Sequence, residues 1–143
     1  MRKTSIKNFI NYRGVHIPKE KSKLLNDILE KKHRENLEKI IKNPEYLGIY
    51  GQVISEKEVD LYDSYKRVGR LDLFLLNPEA SIVYYIEYKC FHSKKSQKCA
   101  KIQLLKALNF IEEKYHSEKK ILLYVSGKFK VKELIKNRWK EFP

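Results

Sequence analysis

The sequence predicts an α/β fold: a central mixed sheet of four to five strands flanked by helices, in the order helix, three strands, helix, strand, helix. Three observations predict it. Stretches 49–61, 71–76 and 82–89 are rich in β-branched and aromatic residues at strand length. Apolar residues at helical spacing lie on both sides of them. A crossover helix between the third and fourth strands requires those two to run parallel, whereas the short turn before the third strand makes an antiparallel hairpin.

Each element follows in order. Residues 1–20 hold Arg2, Lys3, Lys7, Arg13 and Lys19 among Ile6, Phe9, Ile10 and Tyr12, which suits a basic arm or an edge element. From 22 to 43 the pattern is helical, with Leu24, Leu25, Ile28 and Leu29 on one stripe and Leu37, Ile40 and Ile41 on another. At 3.6 residues per turn the stripes do not align, so a break or twisting contact is expected near 31–34, and Pro44 ends the segment. The strand 49–61 is interrupted by charge. Asn77-Pro78-Glu79-Ala80 supplies the turn that joins 71–76 to 82–89. A helix over 96–116 places Ala100, Leu104, Ala107, Leu108, Ile111 and Tyr115 on one face. A buried strand over 121–126 stops at Gly127, and Val131, Leu134, Ile135 and Trp139 make the inner face of a closing helix.

With 143 residues, no repeat and no low-complexity linker, the chain predicts a single domain over 1–143. Its charge is lopsided: 31 Lys and Arg against 18 Asp and Glu give a formal net charge of +13. A polyanion is the natural partner, and the ten tyrosines add rings that can stack on bases. No run approaches the ~20 apolar residues of a membrane span, so the expectation is a soluble protein of the cell interior, or of a host's cytoplasm if virus-encoded. Cys90 and Cys99 match no zinc spacing and read as ordinary thiols; a disulfide between them stays open for a hyperthermophilic source, which the Lys/Glu-rich, Gly-poor composition suits. His16, His33, His92 and His116 show no ligand spacing, although His92, three residues past Lys89, stands where it could touch a phosphate.

The chemistry concentrates in the stretch GRLDLFLLNPEASIVYYIEYK, where two apolar strands each carry an acid in place of an apolar residue. Alternation puts Val83, Tyr85, Glu87 and Lys89 on one face, so acid and lysine project together from the strand's end. Asp72, on the partner strand, approaches Glu87 if the register is right. Two converging carboxylates are costly to bury unless a cation neutralises them, and a hard ion such as Mg²⁺ prefers oxygen ligands while keeping exchangeable waters. The Tyr88 carbonyl is a candidate further ligand, and Lys89 would polarise the attacking water and balance charge in the transition state. Arg67 and Arg70 flank the glycine before Asp72 and could orient a phosphate. Two cationic sets could grip a nucleic-acid backbone. Lys94, Lys95, Lys98 and Lys101 adjoin the acids and are preferred; Lys132, Lys136, Arg138 and Lys140 would cover the outer side of the closing helix.

This arrangement resembles the PD-(D/E)xK nuclease superfamily, whose pattern is an acid on one strand and an acid, any residue and a lysine on the next. Asp72, Glu87, Tyr88 and Lys89 occupy those positions; Leu71 replaces the proline that often precedes the first acid. The resemblance, over about 47–127, implies a restriction-endonuclease-like core and a Mg²⁺-dependent phosphodiester hydrolase, with Mn²⁺ able to substitute. It implies metal binding by Asp72 and Glu87, assistance by Lys89, and DNA rather than RNA as substrate. Some members add a glutamine on the following helix, and Gln103 suits that place among Ala100, Leu104 and Ala107, although the tyrosine that often follows four residues later is Ala107 here. Members often supply an upstream acid, for which Glu35, Glu38, Glu58 and Asp60 are candidates. Glu58 is preferred, since Val59 and Leu61 would face the opposite side. Homodimerisation is one way for so small a domain to address both strands of a duplex.

Overall fold

The computed structural model describes residues 19–90, 93–111 and 117–142. The basic arm expected over 1–20 lies outside them except for Lys19 and Glu20, which open the first helix, and His92 and Tyr115 also lie outside. Two compact units are distinguished, one ending at Glu35 and one beginning at Asn36. The described part of the first is helical and belongs to α1 (Lys19–Lys42). The helix passes through 31–34 without the expected break. Leu24 and Ile28 are exposed, so this stripe is under no packing demand to align with the one at Leu37 and Ile40.

In the second unit, α1 ends at Lys42 and Pro44 opens a 3-10 turn, Pro44–Leu47, as a residue without an amide hydrogen can at a helical start. Six strands follow: β1 (Ile54–Asp63), β2 (Lys66–Asn77), β3 (Ile82–Lys89), β4 (Lys119–Ser126), β5 (Val131–Ile135) and β6 (Arg138–Glu141), with helix α2 (Lys94–Phe110) between β3 and β4. They form one sheet in chain order, with β3 and β4 parallel and every other pair antiparallel. The α/β class, the Asn77 turn and the parallel crossover therefore stand. At that turn the Ala80 amide donates to Asn77 Oδ1 at 3.0 Å, the local bond that makes Asn a turn former.

Two apolar layers hold the sheet. On one face Leu37 and Ile40 of α1 join Leu73, Leu75, Tyr84, Ile86, Ile121 and Leu123. On the other, Leu104 and Ala107 of α2 join Phe74, Leu76, Val83, Tyr85, Leu122 and Leu134. Each fully buried Leu or Ile contributes roughly 1.5–3 kcal/mol. Helix α2 starts two residues earlier than expected, because the Ser93 side chain accepts from the Ser96 amide and caps it.

Two expectations are corrected. Among the described residues the sheet has six strands rather than four to five, and the closing helix over 131–139 is instead the β5–β6 hairpin. Lys136 and Asn137 take φ of 50° and 66°, the left-handed pair that a two-residue hairpin turn of type I′ requires. Leu134 then reaches the α2 layer and Trp139, its cross-strand partner, packs on Tyr124 at 5.4 Å. Burial on a sheet face outweighs the helical propensity of Lys-Glu-Leu-Ile-Lys. Cys90 and Cys99 are not bonded to each other, so the disulfide left open from the sequence does not form.

Candidate functional site

The site is built where two strands part. β2 and β3 pair only from Leu73 opposite Ile86 to Asn77 opposite Ile82, whereas β2 stays on β1 as far as Lys66. Backbone groups at such a fork lose their ladder partners and need others. The two acids supply them reciprocally: Glu87 Oε1 accepts from the Asp72 amide at 3.0 Å, and the Tyr88 amide donates to Asp72 Oδ2 at 2.8 Å. Each carboxylate therefore caps the strand that carries the other.

Glu87 is only 2% exposed. Burial first, and then the neighbouring Asp72 charge, push its carboxyl well above the ordinary carboxylate range, while Lys89 opposes that shift. The Lys89 ammonium lies 3.7 Å from Glu87 Oε2 and is itself partly exposed. Asp72, Glu87, Tyr88 and Lys89 are thus brought together at the end of β3. Two carboxylates facing one ammonium leave a surplus of negative charge in a largely desolvated place, and that donor set suits a hard divalent cation.

Of the other expected acids, Glu38 and Asp60 are engaged by cations elsewhere. Glu58 takes φ of 53° in β1, where Lys57 opposite Leu73 and Val59 opposite Leu71 put it across from Asp72 in the register. Val59 and Leu61 do pack toward the α2 layer, yet Glu58 is exposed. Among the described residues no three His, Cys, Asp or Glu side chains converge as a metal group. Glu38 is engaged instead by Lys57, whose hydrogen bond and charge lower its carboxyl. Asp60 binds Arg67 Nε at 2.9 Å and lies 3.5 Å from Arg70 Nε. Both arginines assigned to a phosphate are thus drawn to this acid. Glu35 belongs to the first unit.

Gln103 lies on the inner side of α2, with its amide oxygen buried, unpartnered and packed against Gly69. It touches the strand three residues before Asp72, and Lys106 Nζ fastens the same segment through the Val68 carbonyl at 3.1 Å. Lys94, Lys95 and Lys98 are exposed on the first turns of α2, and Lys101 Nζ donates to the Asn137 carbonyl at 3.0 Å.

Two supports were missed from the sequence. Asn36 donates from Nδ2 to the buried Tyr88 hydroxyl and so braces the site from the α1 face. Its position four before Ile40, on the inward stripe, was a usable signal. Gly127 sits so close to β3 that an added Cβ would meet the Cys90 carbonyl at 2.7 Å. No described helix is long and apolar enough to cross a membrane. Compared with protein-family models, curated proteins and solved structures, the chain matches none of them.

Proposed function

We propose that the protein is a metal-dependent nuclease that hydrolyses phosphodiester bonds, with DNA as the favoured substrate. The observation that carries this reading is the Asp72–Glu87 pair at the fork of β2 and β3, with Glu87 buried and Lys89 beside it. Asp72 and Glu87 are the residues that would hold Mg²⁺ or Mn²⁺. Such an ion, when bound, activates water and offsets charge on the phosphoryl oxygens. The reciprocal backbone caps keep both carboxylates oriented before substrate arrives, which lowers the reorganisation needed for catalysis. Lys89 places a cation at the same strand end, where it holds a water or an anionic oxygen and stabilises charge developing at phosphorus.

A second reading is a nucleic-acid-binding protein without turnover. It is favoured by one observation: among the described residues no three His, Cys, Asp or Glu side chains converge as a metal group. The two readings separate on linear, circular and single-stranded DNA incubated with Mg²⁺ or Mn²⁺. Wild type is expected to cut, and Asp72→Ala and Glu87→Ala to lose about a hundredfold or more in rate. Equal cleavage by all three proteins would remove the site from this pair, and binding without cutting supports the second reading. Cutting of the circular substrate identifies an endonuclease.

A further inference from the structure

The β5–β6 hairpin joins two cationic segments that lie far apart in the chain. Lys94, Lys98 and Lys101 are spaced four and three residues apart and share one side of α2. Lys101 Nζ binds the Asn137 carbonyl at 3.0 Å, which brings the hairpin turn, with exposed Lys136 and Arg138 around Asn137, against that side of the helix.

The neighbouring charges decide which cations are available. In β5 and β6, Lys132 stands opposite Glu141 and Lys140 opposite Glu133, so these two lysines face acids across the strands. Lys136 and Arg138 have no such acid: Arg138 stands opposite Ile135, and Lys136 lies in the turn. None of Lys94, Lys98, Lys101, Lys136 and Arg138 is ion-paired with a described residue. Bringing like charges together without counterions costs folding free energy, and a polyanion laid along them offsets that cost. The first turn of α2 also begins just beyond Lys89, so the stripe leads away from the acid pair.

We infer that Lys94, Lys98, Lys101, Lys136 and Arg138 form one track for the phosphate backbone of DNA, with the β5–β6 turn as a second anchor beyond the helix. This inference rests on the proposed nuclease reading for the identity of the ligand, but not for catalysis.

The test is binding of the full chain to duplex DNA without divalent metal, measured by fluorescence anisotropy between about 50 and 200 mM salt. Five phosphate contacts predict a slope of log K against log salt of about −4.5. Lys136→Asn/Arg138→Gln is expected to raise Kd at least about fivefold and reduce the steepness by about 1.8, since each lost contact contributes about 0.9. Asn at 136 tolerates the left-handed backbone, and Arg138→Gln alone, which leaves the turn untouched, should give about half the loss of slope. A control pair, Lys39→Gln/Lys42→Gln, removes the same charge from α1 on the other face of the sheet and should change the slope little. Wild-type Kd and slope in the turn variants would overturn the track, as would an equal loss in the control pair. If the turn variants lose slope as expected while wild type with Mg²⁺ leaves DNA uncut, the track stands and the nuclease reading falls.

Discussion

Glu87 combines a buried carboxylate with a hydrogen-bond duty to the Asp72 amide, and these two roles respond differently to substitution. An acid whose carboxyl is raised in the folded state binds its proton more readily folded than unfolded. Its contribution to stability is therefore full below the ordinary value of 4.5 and declines as pH rises toward the raised one. Glu87→Gln keeps an oxygen acceptor for the Asp72 amide and removes the charge. In metal-free buffer at neutral pH it should be more stable than wild type, with the difference shrinking as pH falls below 4.5. Thermal unfolding at both pH values checks this, and a lower melting temperature at neutral pH would contradict it. The same variant should lose activity, as expected where a site holds charge at the expense of stability. Glu58 provides the contrasting case. If its left-handed backbone is its main burden, Glu58→Gly keeps DNA cleavage within about twofold and gains up to about 1 kcal/mol in denaturant unfolding. Loss of cleavage would instead make Glu58 a member of the site.

At the scale of elements, the ends of β3 and β4 are tied by close approach. Gly127→Ala places a methyl carbon where the Cys90 carbonyl now stands, 2.7 Å away, so one of the two strand ends must shift. Overpacking of this kind costs about 1–3 kcal/mol, and because Cys90 follows Lys89, cleavage should fall along with stability. Unchanged unfolding and activity would show that the strand ends yield freely. Leu104, fully buried between α2 and the sheet, tests the layer that positions Gln103 and Lys106. Leu104→Ala should cost about 2–5 kcal/mol, read as a lower midpoint in urea with an unchanged slope.

For the whole molecule, the proposed reading would couple metal binding and folding through one pair of acids. Saturating Mg²⁺ at a hundred times its Kd should stabilise wild type by about 2.7 kcal/mol, because the ion binds only the folded arrangement. Asp72→Ala should abolish that gain, and an equal Mg²⁺-dependent rise in melting temperature in the variant would place the ion elsewhere. The net charge of +13 acts at the same scale. On the proposed reading it would attract a polyanion over distances set by salt, and the uneven placement of unpaired cations would decide where the polyanion lies.

Periodicity, turn chemistry and the crossover rule were enough for α2, the β2–β3 hairpin and the parallel β3–β4 pair, and for α1 apart from the break expected near 31–34, because amphipathic spacing and turn chemistry are local properties. Asp72, Glu87 and Lys89 were legible for a related reason: charge inside an apolar strand is a local misfit. Their distances were not, since the fork that seats both carboxylates depends on β2 leaving β3 while staying on β1. The acids expected at 38 and 60 show the same limit: both are paired with cations distant in sequence or across a hairpin. The closing segment was misread because Val131, Leu134 and Ile135 fit a helical stripe, and only the Tyr124–Trp139 contact and the left-handed Lys136-Asn137 turn make it a hairpin. The α/β class and the two acids set in apolar strands follow from local patterns in the chain. Which groups meet them, and where the surplus cations gather, was decided by tertiary structure, because those pairings depend on strand register and layer packing rather than on neighbours in the chain.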